Sequence, residues 1–375
     1  MLPFNVEFFD YNGFFVTNAN ADGITIATDY LSGGENTLEI LNVNNADKID
    51  RGGYLHIQRS NEGTDESYFG YIKGITRDKI NNSQITIRWC DILDLLDTAW
   101  CIDTDAQGTI PLETFIATEL AKIMRNLVSV GYATGIKIET STTSSTTDWG
   151  FNLKSDAEGQ HHTIVNFKSV IVDRALKEYN IAIRAIPEFA GFQRQSENIV
   201  LRFEIGKISE NAKTIEADIS NISAKVLYAD NQGEHINRIT IYNGNDYSES
   251  YTYMIAIDGD VYRQDIVGDE LQQFPVIYDV QSLTTEGTFY QAANAHAKKE
   301  LKPQPYVDLI EIEVANNDTL IKPLTLEIAQ TYNIIFDGKQ YTTILTGKKV
   351  KNGTTILTFG TNRLDLTKLL KAGGK

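Results

Sequence analysis

A chain of 375 residues exceeds what one hydrophobic core usually supports, so two or more domains are expected. Its 42% hydrophobic content is ample for those cores, and 34 basic against 50 acidic residues leave a net charge of −16, which repels a phosphate backbone and argues against specific nucleic-acid binding. Two cysteines, Cys90 and Cys101, are too few for a disulfide framework and read as free thiols.

The start, MLPFNVEFFDYNGFF, has no basic region and no uninterrupted apolar stretch, and no run approaches the ~18–20 apolar residues that span a bilayer. A soluble product made in a cytoplasm, with no signal peptide and no membrane anchor, is expected. The first hundred residues are strand-like, with Leu38 and Ile40 alternating and with Tyr54 and His56 set against Leu55 and Ile57. Turn signals at Asn12-Gly13, Asp22-Gly23 and Asn81-Asn82-Ser83 separate the runs, and residues 1–103 read as a first β-barrel.

After Cys101 the period becomes helical. Leu112, Phe115, Ile116, Leu120, Ile123, Met124 and Leu127 form one apolar stripe behind Pro111. A second helix is expected over about Phe167 to Tyr179, with Val172, Ala175, Leu176 and Tyr179 on one face and Asn166 as its cap. Strands at Tyr179 to Ile186 and Ile199 to Ile205 make residues 104–222 an α/β domain. Within it, Glu139 to Asp148, containing STTSSTT, is too polar to pack and reads as an exposed loop.

Strands resume at Ala224 to Tyr228 and Ile236 to Tyr242. A hairpin of Tyr251 to Ile257 and Val261 to Gln264 turns through Asp258-Gly259, and a helix follows with Phe289, Ala292, Ala293, His296, Ala297 and Leu301 on one face, limited by Pro303. From Tyr306 the chain is β again, with Asp337-Gly338 and Asn352-Gly353 joining three strands into a meander. Residues 247–301 therefore read as an inserted hairpin and helix, and 223–246 with 302–375 as a second β-barrel.

One pattern occurs twice. Ile85, Leu93, Asp94 and Leu95 recur as Ile356, Leu364, Asp365 and Leu366, each copy preceded by a strand pair: Tyr54 to Gln58 with Tyr68 to Gly74, and Tyr332 to Phe336 with Tyr341 to Gly347. The fold class expected is α+β and mainly β: two related β-barrel modules, an α/β domain between them, and a smaller inserted hairpin-plus-helix domain.

Catalytic chemistry is not signalled. His56, His161, His162, His235 and His296 lack metal-ligand spacing, HExxH is absent, and the cysteines form no CxxC. No GxSxG elbow, Walker loop or GxGxxG after a strand occurs. Asp91/Asp94 and Asp258/Asp260 have the composition of glycosidase carboxylates, but the recurrence of Asp94 as Asp365 suits a turn or cap better. No catalytic, cofactor-binding or metal-binding residue is assigned, no cofactor is expected, and partner-interface residues are left undefined.

The stretch from Thr319 to Leu370, carried by Phe336-Asp337-Gly338-Lys339, Tyr341, Leu345-Thr346-Gly347, Phe359-Gly360 and Arg363-Leu364-Asp365-Leu366, resembles the closing barrel of tail hub proteins. These are the tail-associated or tail-tip proteins of long-tailed phages of Gram-positive bacteria, similar to the hub of contractile-tail baseplates. The resemblance implies a non-enzymatic virion component at the tail tip: a homotrimer whose duplicated barrels make a pseudo-sixfold ring beneath a hexameric distal tail protein. It also implies a plug that opens the tail channel for DNA ejection, with the tape-measure and receptor-binding proteins as further partners. The acidic balance then serves either plain solubility or a channel wall that repels passing DNA. Longer members carry a cell-wall-cleaving or receptor-binding extension, whereas this sequence ends at Lys375, so a hydrolase role is not carried over. The competing readings are a carbohydrate-binding adhesion module, with Tyr247, Tyr251, Tyr253 and Tyr262 as aromatic platforms, and a cell-wall hydrolase centred on the middle domain.

Overall fold

The computed structural model describes the chain apart from residues 1–3, 22–23, 32–33, 42, 62–63, 78–83, 104–109, 129–135, 151–162, 190–198, 209–212, 219–222, 228–235, 257–259, 267, 269–270, 273–275, 277, 302–308, 352 and 362–375. It is mainly β with few helices, and the chain divides into two compact units: residues 1–227 with 308–363, and residues 228–307 with 364–375.

The first unit opens with a six-stranded antiparallel sheet in the order β2-β1-β5-β6-β7-β4. Its strands are β1 (Phe4–Phe9), β2 (Phe15–Ala21), β4 (Asn36–Leu41), β5 (Tyr54–Asn61), β6 (Thr64–Arg77) and β7 (Gln84–Asp91). Period-2 alternation places Phe4, Val6 and Phe8 of β1 and Ile85, Ile87 and Trp89 of β7 in one core with Leu38 and Ile40. In β5 the alternation is not amphipathic: Tyr54, Leu55, His56 and Ile57 are all buried. β3 (Ile26–Asp29) leaves this sheet and pairs with a strand more than 300 residues later.

The middle of the unit holds β8 (Trp100–Asp103) against β10 (Thr163–Asn166), and a mixed sheet β11-β12-β9 built from β9 (Ile136–Thr142), β11 (Ile181–Phe189) and β12 (Ile199–Lys207). Helix α1 (Leu112–Val128) buries the stripe from Leu112 to Met124 and leaves Leu127 exposed. The second expected helix is a π-helical segment, Phe167–Val172, running into α2 (Asp173–Tyr179), and Asn166 caps it by accepting the Ser169 N–H at 2.8 Å.

The exposed loop expected at Glu139 to Asp148 is exposed at most of its positions, but its first residues belong to a strand, β9. Residues up to Thr142 pair in parallel with β12, and the hydroxyl-rich remainder clamps the fully buried Glu113 of α1. Ser144 Oγ and Thr146 Oγ1 donate to Glu113 Oε1 at 2.6 and 2.9 Å, and the Thr146 N–H donates to Oε2 at 2.7 Å. These bonds hold the Glu113 carboxyl below its usual range against the opposing effect of burial. The Glu113 carboxylate is buried here with its hydrogen bonds satisfied by this largely exposed polar segment.

The remaining sheet of the unit runs β13-β20-β21-β22-β19-β14, with β3 also on β21. It contains β13 (Lys213–Glu216), β14 (Ser223–Leu227), β19 (Leu309–Ala315), β20 (Thr331–Phe336), β21 (Lys339–Val350) and β22 (Thr354–Phe359). Its core gathers Ile310, Ile312, Ile334, Leu345, Leu357 and Phe359. Asp337 and Gly338 both have positive φ, 51° and 67°, the two-residue turn that matches strand twist between β20 and β21.

The repeated sequence pattern has a structural counterpart in two meanders, β5-β6-β7 and β20-β21-β22. In each, the middle strand carries one extra residue against the third strand, Lys73 before Gly74 and Thr346 before Gly347. The bulges fix a register one residue away from the sequence match. Gly74 faces Arg88 and Gly347 faces Thr358, so Trp89 corresponds to Phe359, Ile87 to Leu357 and Ile85 to Thr355, all six wholly buried. Ile356, matched to Ile85 by sequence, lies on the other face, because a one-residue slip exchanges the faces of a strand. Leu364, Asp365 and Leu366 lie outside the described residues.

The second unit is a four-stranded sheet, β17-β16-β15-β18, of β15 (Arg238–Asn243), β16 (Ser250–Ile255), β17 (Val261–Arg263) and β18 (Tyr278–Leu283), with α3 (Phe289–Glu300) against it. Ile239, Ile241, Tyr253 and Ile255 pack on Phe289, Ala293, Ala297 and Leu301, the small residues letting the helix lie close. Residues 238–243, grouped by sequence with the second barrel, thus pair in this sheet.

Candidate functional site

The first unit carries a cleft of about 630 Å³ lined by β3, β6, the turn after β7, β11, β21 and the loop before β20. The turn is a 3-10 helix, Ile92–Thr98, begun by Asp91, whose side chain accepts the Leu93 N–H at 2.9 Å. Asp94, 5% exposed, accepts the Gly34 N–H at 2.9 Å and so ties the turn to the segment after β3. Each carboxylate of this sequence-flagged pair therefore holds backbone, as a cap or tether does. Asp258 lies outside the described residues.

Burial moves these acids. Desolvation pushes Asp91 up to about 6 and Asp94 up to about 7, opposed by their backbone hydrogen bonds. Asp173, at the start of α2, rises to about 6 for the same reason and has a buried Oδ1 without a hydrogen bond. Lys168 lies among them, 4% exposed, donating to the Leu31 carbonyl at 3.1 Å and facing Asp97 at 3.4 Å and Asp173 at 3.9 Å.

On the opposite wall stands Lys348 of β21, 8% exposed, whose Nζ donates to the Leu324 carbonyl at 2.7 Å; burial lowers its pKa to about 8. Next to the cleft, β5 and β6 bury an ion pair, Arg59 Nε to Glu66 Oε1 at 2.8 Å, with Arg59 over the Phe4 ring at 4.0 Å and the Tyr68 hydroxyl donating to Glu66 Oε2 at 3.2 Å.

Sequence reasoning flagged Asp91 and Asp94 and passed over Lys168, Lys348, Glu66 and Tyr30. No local signal marks these four, since a lone lysine or tyrosine in a strand or helix looks like surface until its distant partners are known. Among the described residues no cluster of three or more His, Cys, Asp or Glu side chains could hold a metal ion. His56 bridges Glu7 and Ser67, both at 2.9 Å, and His296 contacts Gln281 at 2.6 Å, while His161, His162 and His235 lie outside the described residues. Cys90 is a buried free thiol.

The aromatic hairpin of the second unit is largely structural. Tyr253 is buried, and Tyr251 stacks on Phe289 with centroids 5.7 Å apart and meets Tyr290 edge-on at 5.4 Å, with Arg263 over both rings. Tyr262 is half-buried, and of the four only Tyr247, 73% exposed, stands clear.

No family model and no curated protein matches this sequence. Solved structures do. A chain of the phage P2 baseplate in its activated conformation with Ca is 12% identical, with a TM-score of 0.52 over 96% of this chain and 100% of that one. A topological model of the p2 virion baseplate in activated conformation gives 11% identity and 0.52 over the same shares. The 43 kDa tail protein of prophage MuSo2 from Shewanella oneidensis gives 13% and 0.49 over 96% and 98%. At such low identity the likeness is one of fold, and nearly all of this chain shares the fold of a phage baseplate protein.

Proposed function

We propose that this protein is a structural component of a phage tail, the hub at the tail tip, and not an enzyme. The observation that carries this reading is the extent of the fold likeness: 96% of this chain is matched to the whole of a baseplate chain at a TM-score of 0.52. A likeness running over nearly all of this chain supports the role of an assembly component better than that of one borrowed module.

In this reading three copies form a closed ring, and the two meanders with their matched bulges anchor two related modules that alternate around six positions. A hexameric distal tail protein sits above, with the tape-measure and receptor-binding proteins as neighbours, and the ring closes the channel until DNA is ejected at host entry. The middle sheets and the inserted hairpin-and-helix unit lie between and beside the two modules along the chain. Native mass spectrometry of the full chain, alone and mixed with the distal tail protein of its own phage, tests this. A trimer that adds one hexamer is expected; a monomer that ignores the hexamer ends the hub reading.

A further inference from the structure

β11 forms the outer edge of its sheet: among the described residues it pairs with β12 and with no other strand. The Ile183 N–H donates to the Tyr30 hydroxyl at 2.9 Å, so the odd-numbered residues of β11 turn their backbone groups away from β12. Pro187, two positions past Ala185 on that same side, has no N–H to offer. Ala185 lies between these two blocked positions and lines the cleft, and among the described residues nothing meets its N–H or C=O.

We propose that the cleft is a docking groove for an extended segment of a partner protein, bound by strand pairing at Ala185 and carrying a lysine or arginine toward the carboxylates of Asp29, Asp91 and Asp94. The volume of about 630 Å³ falls within the range of ligand clefts. Pairing at an open edge supplies affinity, and the side-chain pockets beside it supply selectivity. The charge of the lining decides the class of segment. Asp29, Asp91, Asp94 and Glu327 stand against Arg184 and Lys348, four carboxylates to two cations; the three aspartates each accept one backbone N–H, which leaves their charge in place, and Arg184 faces Glu204 at 3.2 Å. The excess is acidic. An incoming cation also relieves the desolvation that pushes Asp94 up to about 7, so binding strengthens as pH rises from 5.5 to 8. The groups facing Asp94 include Asp91, Asp97 and Lys168, which moderate that dependence without reversing it. The inference stands on the cleft alone and holds or fails separately from the tail-hub reading.

The test is fluorescence anisotropy of the full chain with a labelled acetyl-Val-Lys-Val-Thr-Val-amide peptide. Its Glu-for-Lys and backbone N-methylated forms serve as comparisons, and spermidine as a competitor. Ala185→Pro removes the outward N–H without touching the bonds to β12, so it is expected to weaken the lysine peptide at least about tenfold at an unchanged thermal midpoint. Asp94→Asn is expected to weaken it and to flatten its pH profile, and the glutamate and N-methylated peptides are expected to bind about tenfold less. Should Ala185→Pro not fold, the N-methylated peptide decides. Equal binding of the N-methylated peptide, displacement by spermidine at matching affinity, or no binding of the lysine peptide at millimolar concentration each overturns the proposal.

Discussion

The two meanders of the first unit share strand order, antiparallel register and bulge position, yet they fill their interiors differently. β5-β6-β7 buries an ion pair, Arg59 against Glu66, and a histidine, His56, hydrogen-bonded to Glu7 of β1 and to Ser67. The other meander buries hydroxyls, with Thr355 donating to Asn316 Oδ1 at 2.6 Å and Thr346 to the Gly360 carbonyl at 2.7 Å, and it keeps one lysine, Lys348, on main-chain oxygens. The lesson is that the backbone frame and its bulge are shared along with large apolar positions, while the buried polar groups differ, most of them partnered and one in each meander, Trp89 Nε1 and Thr343 Oγ1, buried without a hydrogen bond.

The sharpest contrast is between Glu66 and Glu313, one in each of these sheets. Glu66→Gln leaves Arg59 buried without its counterion and is expected to cost about 3–5 kcal/mol in urea unfolding. Glu313→Gln, which loosens an exposed pair with Lys351, should change stability by about 0.5 kcal/mol or less. Trp89→Ala and Phe359→Ala test the equivalence itself: each empties a fully buried site and is expected to cost about 3–5 kcal/mol, the two agreeing to about 1 kcal/mol. A large disparity would break the register deduced from the bulges.

Acid should act on the two meanders in opposite directions. Asp91 and Asp94, raised to about 6 and 7, favour the folded state fully below their unfolded pKa and lose that contribution as pH climbs through 6 and 7. Lys348, lowered to about 8, weakens the fold as pH drops through 8. Asp173, raised to about 6, acts in the same sense, so three carboxylates outweigh one amine and a net gain on the order of 3 kcal/mol is expected between pH 8 and 5.5. Asp94→Asn should flatten the acid side of the pH–stability curve, and Lys348→Met the alkaline side. The smallest effect belongs to Arg88→Ala, opposite the Gly74 bulge, where the exposed pair with Glu35 contributes about 0.5 kcal/mol or less to the unfolding free energy.

Much of the framework was legible in the sequence because it rests on local periodicity. The α1 stripe, the Asn166 cap, the Asp337-Gly338 turn and the β20 to β22 meander depend on neighbours within a few residues. What escaped depends on distance along the chain. The Glu113 clamp joins residues about thirty apart, and Asp94 reaches sixty residues back to Gly34, so neither leaves a periodic trace. The duplicated pattern was visible, but its register was not, since a bulge inserts a residue without a composition signal of its own. The site fared similarly: Asp91 and Asp94 stood out as a pair, while the open edge at Ala185 became apparent only once Tyr30 and Pro187 were seen on either side of it.

The pairing of β3 with β21 also sets a timetable. Residues 26–29 are made long before the strand they join, residues 347–350. At bacterial elongation rates of about 5–20 residues per second, the early strand waits roughly 15–65 s for its neighbour. Residues 228–307 of the second unit, encoded between them, have by then been synthesised. The β3–β21 pairing thus forms only after residue 350 has been made, and products truncated before β21 lack the strand that β3 joins.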